Sequence, residues 1–410
     1  MAADVVSGVL HGQTLTLSLE AARLDSHSPS IQGAVRDISY GVLRYRGELE
    51  VVLDRLLQKP LDDGYTHALL LAALYQLVHT RAAPHAVVNN AVEAAPRKFR
   101  NLVNAVLRNY QRRQDELLAT ARTTAEGRTN HPQWWVKKLK AAYPGKWEGI
   151  LSASQLHPPM TLRVNRRRAT VEKAQAELQA SNIASRRTGS WALTLDKPVP
   201  VAQIPGFAEG RVSVQDAGAQ WAAMLLDLKD GQRVLDACAA PGGKTGHMLE
   251  TANLELTALD IDQARLDRVR QNLERLGLAA KLNTGDAADP ETWWDGRCFD
   301  RILADVPCSA SGVVRRNPDI KWLRRPEDIR KFARQQANIL DALWQTLAPG
   351  GKLLYVTCSI FPEENVHQIQ SFVARHADAN RLALPEKLGD GQLLPDDDCD
   401  GFFFALLQRA

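Results

Sequence analysis

At 410 residues, the chain is too long for one typical core, so two or three domains are expected. Hydrophobic residues make up 45% and charged residues 24%, the balance of a globular protein rather than a disordered or membrane-spanning one. Five cysteines form no disulfide framework, and a start without a basic-then-apolar leader points to a reducing cytosol with free thiols. A net charge of +4 suits nucleic acid and a mildly basic protein equally well.

From about Ile31 to Gln114 the pattern is helical. Val35, Ile38, Val42, Leu49, Val52, Leu53 and Leu56 recur at helix spacing, and Ala68 to Leu74 is apolar nearly all round, as in a central bundle helix. Leu102, Val103, Val106, Leu107 and Tyr110 form one face of a further helix. Its other face carries Arg108, Arg112 and Arg113, an RNA-contact surface or a solvated helix face. Residues 1–127 are therefore expected to form an all-α domain. A second region, 128–209, reads as a small α+β module in which Pro158 to Arg168 is a short strand carrying Arg163, Arg166, Arg167 and Arg168. Arginines beside aromatics suit a phosphate-tracking surface, and a solvated basic loop explains them as well.

Residues 210–410 alternate strands and helices. Arg233 to Cys238 is a buried strand running into Ala239-Ala240-Pro241-Gly242-Gly243-Lys244-Thr245, a glycine-bearing turn that opens a helix. Further strands run to Asp260, to Gly285-Asp286, from Phe299 to Asp305, and from Lys352 to Thr357-Cys358. A helix with Leu266, Val269, Leu273 and Leu276 on its apolar face stops at Gly277. This is the pattern of a doubly wound, Rossmann-like α/β domain with a parallel sheet, which binds ligands at the carboxyl ends of its strands. Asp260, Asp286, Asp305, Cys308 and Cys358 all fall at such ends.

The first turn lacks the dinucleotide fingerprint. It departs from a phosphate-binding P-loop too, because Cys238 stands where that loop opens with glycine. A turn without a triphosphate cradle, an acid placed for ribose hydroxyls (Asp260) and one placed for an adenine amino group (Asp286) describe an adenosine compound, and S-adenosylmethionine fits. The bland reading makes these aspartates helix caps.

Carbon 5 of a pyrimidine is too weak a nucleophile to attack a sulfonium methyl group. A thiolate adding to carbon 6 turns the ring into an enamine and removes that difficulty. Pro307-Cys308-Ser309 and Thr357-Cys358-Ser359 place two cysteines at strand ends, with Asp305 available to the cytosine nitrogens. A lone cysteine there is usually a small core residue; two in one cleft are harder to dismiss. No Cys/His spacing suits a metal.

Asp236 to Thr245, Asp305-Val306-Pro307-Cys308-Ser309 and Thr357-Cys358-Ser359 resemble the signature motifs of the NOL/NOP2/Sun family of RNA (cytosine-5) methyltransferases. Val212 to Asp216, Arg315 to Trp322 and Pro362 to Asn365 strengthen the match, and the helical N-terminal region is similar to the antitermination factor NusB. The resemblance implies S-adenosylmethionine as cofactor, small-subunit ribosomal RNA as partner, Cys358 as the attacking thiol and Cys308 as the one that assists release. It implies a cofactor site of Cys238, Ala239, Ala240, Pro241, Gly242, Gly243, Lys244, Asp260, Asp286 and Asp305. By analogy with DNA methyltransferases, chemistry alone favours Cys308 as the nucleophile. Val306 stands where the family more often has alanine. Arg315, Arg316 and Lys321 join Arg163 and Arg166 to Arg168 as expected RNA contacts. No membrane, metal or obligate oligomer is expected. Two rival classes remain, a nucleotide hydrolase and a non-catalytic RNA-binding factor.

Overall fold

The computed structural model describes all 410 residues. They divide into two compact units, one of Met1–Leu156 with Val314–Pro326, the other of His157–Val313 with Glu327–Ala410.

The first unit is helical. Its central helix, Gly64–His79, is buried from Ala68 to Tyr75 and starts at Asp63, whose carboxylate accepts from the Thr66 backbone N–H and hydroxyl. Around it pack Ala2–Leu10, Pro29–Leu56, Pro84–Ala94 and Arg100–Thr123. The long helix Pro29–Leu56 starts with proline behind the Ser28 cap and kinks at Tyr45. At the kink the Glu48 N–H, which would bond the Arg44 carbonyl in a regular helix, donates to Asn130 instead at 2.8 Å. The freed carbonyls are taken up by the segment Val314–Pro326. Lys321 Nζ donates to Arg44 O at 3.0 Å and Trp322 Nε1 to Leu43 O at 2.7 Å. The segment is held further by Arg44 donating to Arg315 O and by the Leu15 N–H donating to Asp319.

In the second unit β1 (Met160–Val164), β2 (Ser185–Arg187), β3 (Ala192–Leu195) and β4 (Val212–Val214) make an antiparallel sheet in the order β2-β3-β1-β4. The helix Val171–Ala180 packs on it through Val171, Ala174 and Leu178. A larger sheet contains β5 (Arg233–Ala237), β6 (Glu255–Asp260), β7 (Lys281–Thr284), β8 (Phe299–Asp305) and β9 (Leu347–Thr357). It continues in β10 (Ala379–Arg381), β11 (Gln392–Leu393) and β12 (Phe402–Arg409). The order is β10-β12-β9-β8-β5-β6-β7, with β11 paired to β12. Alternate residues face opposite cores: Leu235, Ala237, Ile302, Ala304 and Tyr355 meet the helices Pro326–Gln345 and Val366–Arg375. Val234, Leu303, Leu354 and Val356 meet Gly243–Thr251 and Gln263–Leu276. Burial on both faces explains why these strands read as continuous apolar runs.

Three expectations change. The sheet is mixed, because β12 runs antiparallel to β9 and β10 antiparallel to β12. The small sheet extends past residue 209 to β4, while the helices Gln133–Ala142 and Trp147–Ala153 belong to the helical unit. Three arginine and lysine positions expected on an RNA surface are buried: Arg163 and Arg315 are 1% exposed and Lys321 fully enclosed. A side chain without solvent access cannot meet a phosphate.

Candidate active site

The strand order reverses around β5, which has β6 on one side and β8 on the other, so the crevice outside their carboxyl ends is the expected ligand position. Asp260, Asp305 and the loop after Ala237 converge there. A small cavity of about 50 Å³ is lined by Cys238, Asp260, Asp286, Pro307 and Ile339, among others. Cys238 takes a left-handed backbone (φ +62°), the conformation a phosphate loop gives to glycine. Gly242 is also left-handed, and a Cβ there would press on Val269. Asp260 accepts from the Ala240 N–H at 3.1 Å and pairs with Arg265, which fixes the turn. The helix cap is Asp262 instead, so the capping reading does not account for Asp260. Asp286 is exposed and accepts from the Ala288 N–H at 2.9 Å.

Arg163 supports this turn from below. It reaches from β1 and donates to Glu250 at 2.9 and 2.6 Å, to Gln215 at 2.7 Å and to the Gly243 carbonyl at 2.8 Å. The other arginines of the cluster are exposed. Arg166 lies 5.4 Å over the Trp191 ring, Arg167 donates to Glu250 O and Asn253, and Arg168 to Glu209 O. Arg316 is half-buried in the helical unit.

At the ends of β8 and β9 the two expected cysteines meet, with Cys308 Sγ 3.4 Å from Cys358 Sγ. The hydrogen bond to Cys358, followed by burial, holds the Cys308 thiol well above its ordinary pKa. Cys308 is buried and Cys358 partly exposed. The buried member thus favours its protonated form beside the accessible one. Cys238 is no competitor: burial and the charges of Asp305 and Asp260 raise its pKa, so its thiol is inert.

Two participants were not singled out for these roles. Lys244, expected only in the cofactor turn, donates to Asp305 at 2.6 Å. Burial alone would lower its pKa, but the Asp305 charge, their hydrogen bond and the charge of Cys358 outweigh it, and the ammonium persists. Glu364 is fully buried and accepts from Ser309 N, Ser309 Oγ and Ser359 Oγ at 2.7, 2.6 and 2.5 Å. It ties the two cysteine turns together, and burial raises its pKa. The motif Pro362 to Asn365 signalled the segment but not this role.

Comparisons with known proteins agree with this geometry. Residues 223–408 match the 16S rRNA methyltransferase RsmB/F family, 131–202 its ferredoxin-like domain, and 1–112 the NusB family. The chain is 46% identical to ribosomal RNA small subunit methyltransferase B of Vibrio cholerae, covering 97% of this chain and 94% of that one. It is 45% identical to the protein of the same name from Pseudomonas putida, over 99% and 97%. The chain belongs to this methyltransferase family. It is a methyltransferase, and its cofactor is S-adenosylmethionine. The solved structure of PH0851 shares the fold, with a TM-score of 0.82 at 24% identity over 99% of this chain and 97% of that one. A methyltransferase homologue from Pyrococcus horikoshii aligns with a TM-score of 0.61 at 27% identity, over 70% and 97%. No helix is long and apolar enough to cross a membrane.

The residues present fit the cofactor. Asp260 and Asp286 line the cavity beside the left-handed turn, their carboxylates chemically suited to accept from ribose hydroxyls and an adenine amino group.

Proposed function

We propose that the chain methylates carbon 5 of a cytosine in small-subunit ribosomal RNA, with Cys358 as the nucleophile that adds to carbon 6. The observation that carries this is the contact of the two cysteine sulfurs, with the buried Cys308 keeping the proton. It favours Cys358 over Cys308, against the analogy with DNA methyltransferases, because the raised pKa of the buried Cys308 disfavours its thiolate while Cys358 is the accessible member of the pair.

S-adenosylmethionine, held by the turn Cys238 to Lys244 with Asp260 and Asp286, supplies the electrophilic methyl group. Cys358 forms a bond from sulfur to carbon 6, and the ring's π electrons move so that carbon 5 becomes nucleophilic. Asp305 accepts a hydrogen bond from the cytosine amino group while Lys244 holds that carboxylate and balances its charge. Once carbon 5 carries the methyl, its proton passes to water, the C5–H electron pair restores the double bond between carbons 5 and 6, and the bond from carbon 6 to sulfur breaks. The electron pair returns to Cys358, where the S–H of Cys308 stabilises the departing thiolate. Glu364 and the serines hold both turns in register.

The test is methylation of unmethylated small-subunit ribosomal RNA with labelled S-adenosylmethionine, alongside denaturing gels that reveal protein–RNA adducts. Cys358→Ala is expected to lose activity by several orders of magnitude and to form no adduct. Cys308→Ala is expected to accumulate one. The opposite pattern exchanges the roles, and methylation at an atom other than carbon 5 sinks the reading.

A further inference from the structure

Trp191 and Trp221 line a cavity of about 350 Å³ in the catalytic unit for which the chemistry above has no use. It opens between the turn joining β2 to β3 and the stretch preceding β5, with His247, Gln220, Met224 and Lys387 also in its wall. It adjoins the reaction site. Gly218 in its wall sits so close to Phe402 and Leu393 that a Cβ would collide with them, and the Phe402 ring lies 5.7 Å from Lys244 Nζ.

The wall has the chemistry of a flat, uncharged aromatic ligand attached to an anion. Two indoles provide stacking faces. His247 is 6% exposed and its Nδ1 has no partner. Burial, then the charges of Arg163 and Arg166, holds its pKa well below the ordinary value, so His247 favours its neutral form in this wall. The acids at this wall are already engaged: Asp398 pairs with Arg186, and Asp396 accepts from the backbone N–H groups of Asp398 and Cys399. Positive charge stands beside the opening in Arg166, 5.4 Å over the Trp191 ring, and in the exposed Lys387.

We propose that this cavity receives an unstacked base of the RNA substrate close to the methylated cytosine, with Arg166 and Lys387 meeting its phosphates. The proposal rests on the RNA substrate assigned above. A target cytosine must leave its stack to reach Cys358, and single-stranded neighbours splayed onto aromatic side chains are the usual way RNA is held open.

The full chain is assayed on unmethylated small-subunit ribosomal RNA as wild type, Trp191→Ala, Trp191→Phe and Ser190→Trp, with KM for RNA and affinity for S-adenosylmethionine measured in parallel. Ser190 is exposed on the cavity wall, so a bulky side chain there fills the space without disturbing the core. The expected result is a KM for RNA raised about tenfold or more by Trp191→Ala and by Ser190→Trp, with cofactor affinity unchanged. Trp191→Phe is expected to recover most of the loss. KM within about twofold of wild type in both disruptive variants overturns the proposal, and so does an equal loss of cofactor affinity, which marks a purely structural role. If wild-type protein binds the cofactor but methylates no RNA, the functional reading falls and takes this one with it. Wild-type activity with unaltered variants removes the cavity alone.

Discussion

Each unit encloses a cation that the sequence pattern placed on an RNA surface, and the two are accommodated in opposite ways. In the catalytic unit Arg163 keeps its charge beside Glu250, both side chains being 1% exposed. Its planar fork also bonds Gln215 and the Gly243 carbonyl, so the pair is fully hydrogen-bonded. In the helical unit Lys321 has carbonyl oxygens for partners: Arg44 O and, with the Gln155 amide turned to satisfy its neighbours, Gln155 Oε1 at 3.2 Å. Burial, then the charge of Arg44, lowers its pKa well below the ordinary lysine value, which favours the neutral amine. One buried cation is paired and the other is pushed towards its neutral form. A basic residue in a sequence is thus no guide to surface charge until its surroundings are known.

The largest effect tests the pairing. Arg163→Met leaves Glu250 as an uncompensated buried charge, and a loss of about 3–5 kcal/mol in the stability of the catalytic unit is expected in urea unfolding. Cofactor affinity is expected to fall as well, because the Gly243 carbonyl loses its donor. The double variant Arg163→Met/Glu250→Met is expected to recover most of the stability. Additive losses in the two single variants would mean that the pair is not coupled and that the contrast with Lys321 is false.

Next in size are two pH dependences of opposite sign. Asp236 is fully buried, and burial raises its pKa to about 7 against an ordinary value of 3.8. Its folded form holds a proton that the unfolded chain has lost, so its contribution is complete below about pH 4 and disappears as pH rises through about 7. For Lys321 the unfolded chain holds the extra proton. Its contribution is complete above the ordinary lysine pKa of 10.5 and is lost as pH falls through the lowered folded value. Relative to Asp236→Asn, wild type is expected to lose up to about 1.4 kcal/mol per pH unit on going from acid to neutral. Relative to Lys321→Met it is expected to gain at a similar rate as pH rises from its lowered folded value towards 10.5. Flat differences across either range would show a charge retained in the folded state.

The same contrast explains what was legible in the sequence. Which residues gather at the strand ends was legible, because β5, β6, β8 and β9 carry apolar runs that lead into Asp, Cys or a glycine turn, and strand ends in a parallel sheet share one edge. Asp260, Asp305, Cys308 and Cys358 gather as their positions implied. The antiparallel β12 was missed because Phe402 to Leu407 is a short apolar run without alternation, equally good for a buried helix. Lys244 and Glu364 escaped because their roles depend on side chains distant in sequence, Asp305 in one case and Ser309 in the other. The destination of residues 314–326 was invisible for the same reason. The carbonyls that hold Lys321 and Trp322 are free only because a helix far upstream kinks at Tyr45.

The smallest expected effect decides whether Lys321 is neutral at physiological pH. Lys321→Met keeps the stem and removes a neutral amine with its hydrogen bonds, a change of about 1 kcal/mol. The Arg44 carbonyl is not left bare, since the turned Gln155 amide donates to it at 3.0 Å. At pH 7 wild type also bears the cost of discharging the amine on folding, so the variant should be at least as stable as wild type, in contrast to the loss expected for Arg163→Met. A loss of about 3 kcal/mol or more would mean that Lys321 is an ammonium sustained by carbonyl dipoles and the Trp322 ring, 5.5 Å away. The two units would then solve the same problem in the same way, by holding a buried charge rather than by discarding it.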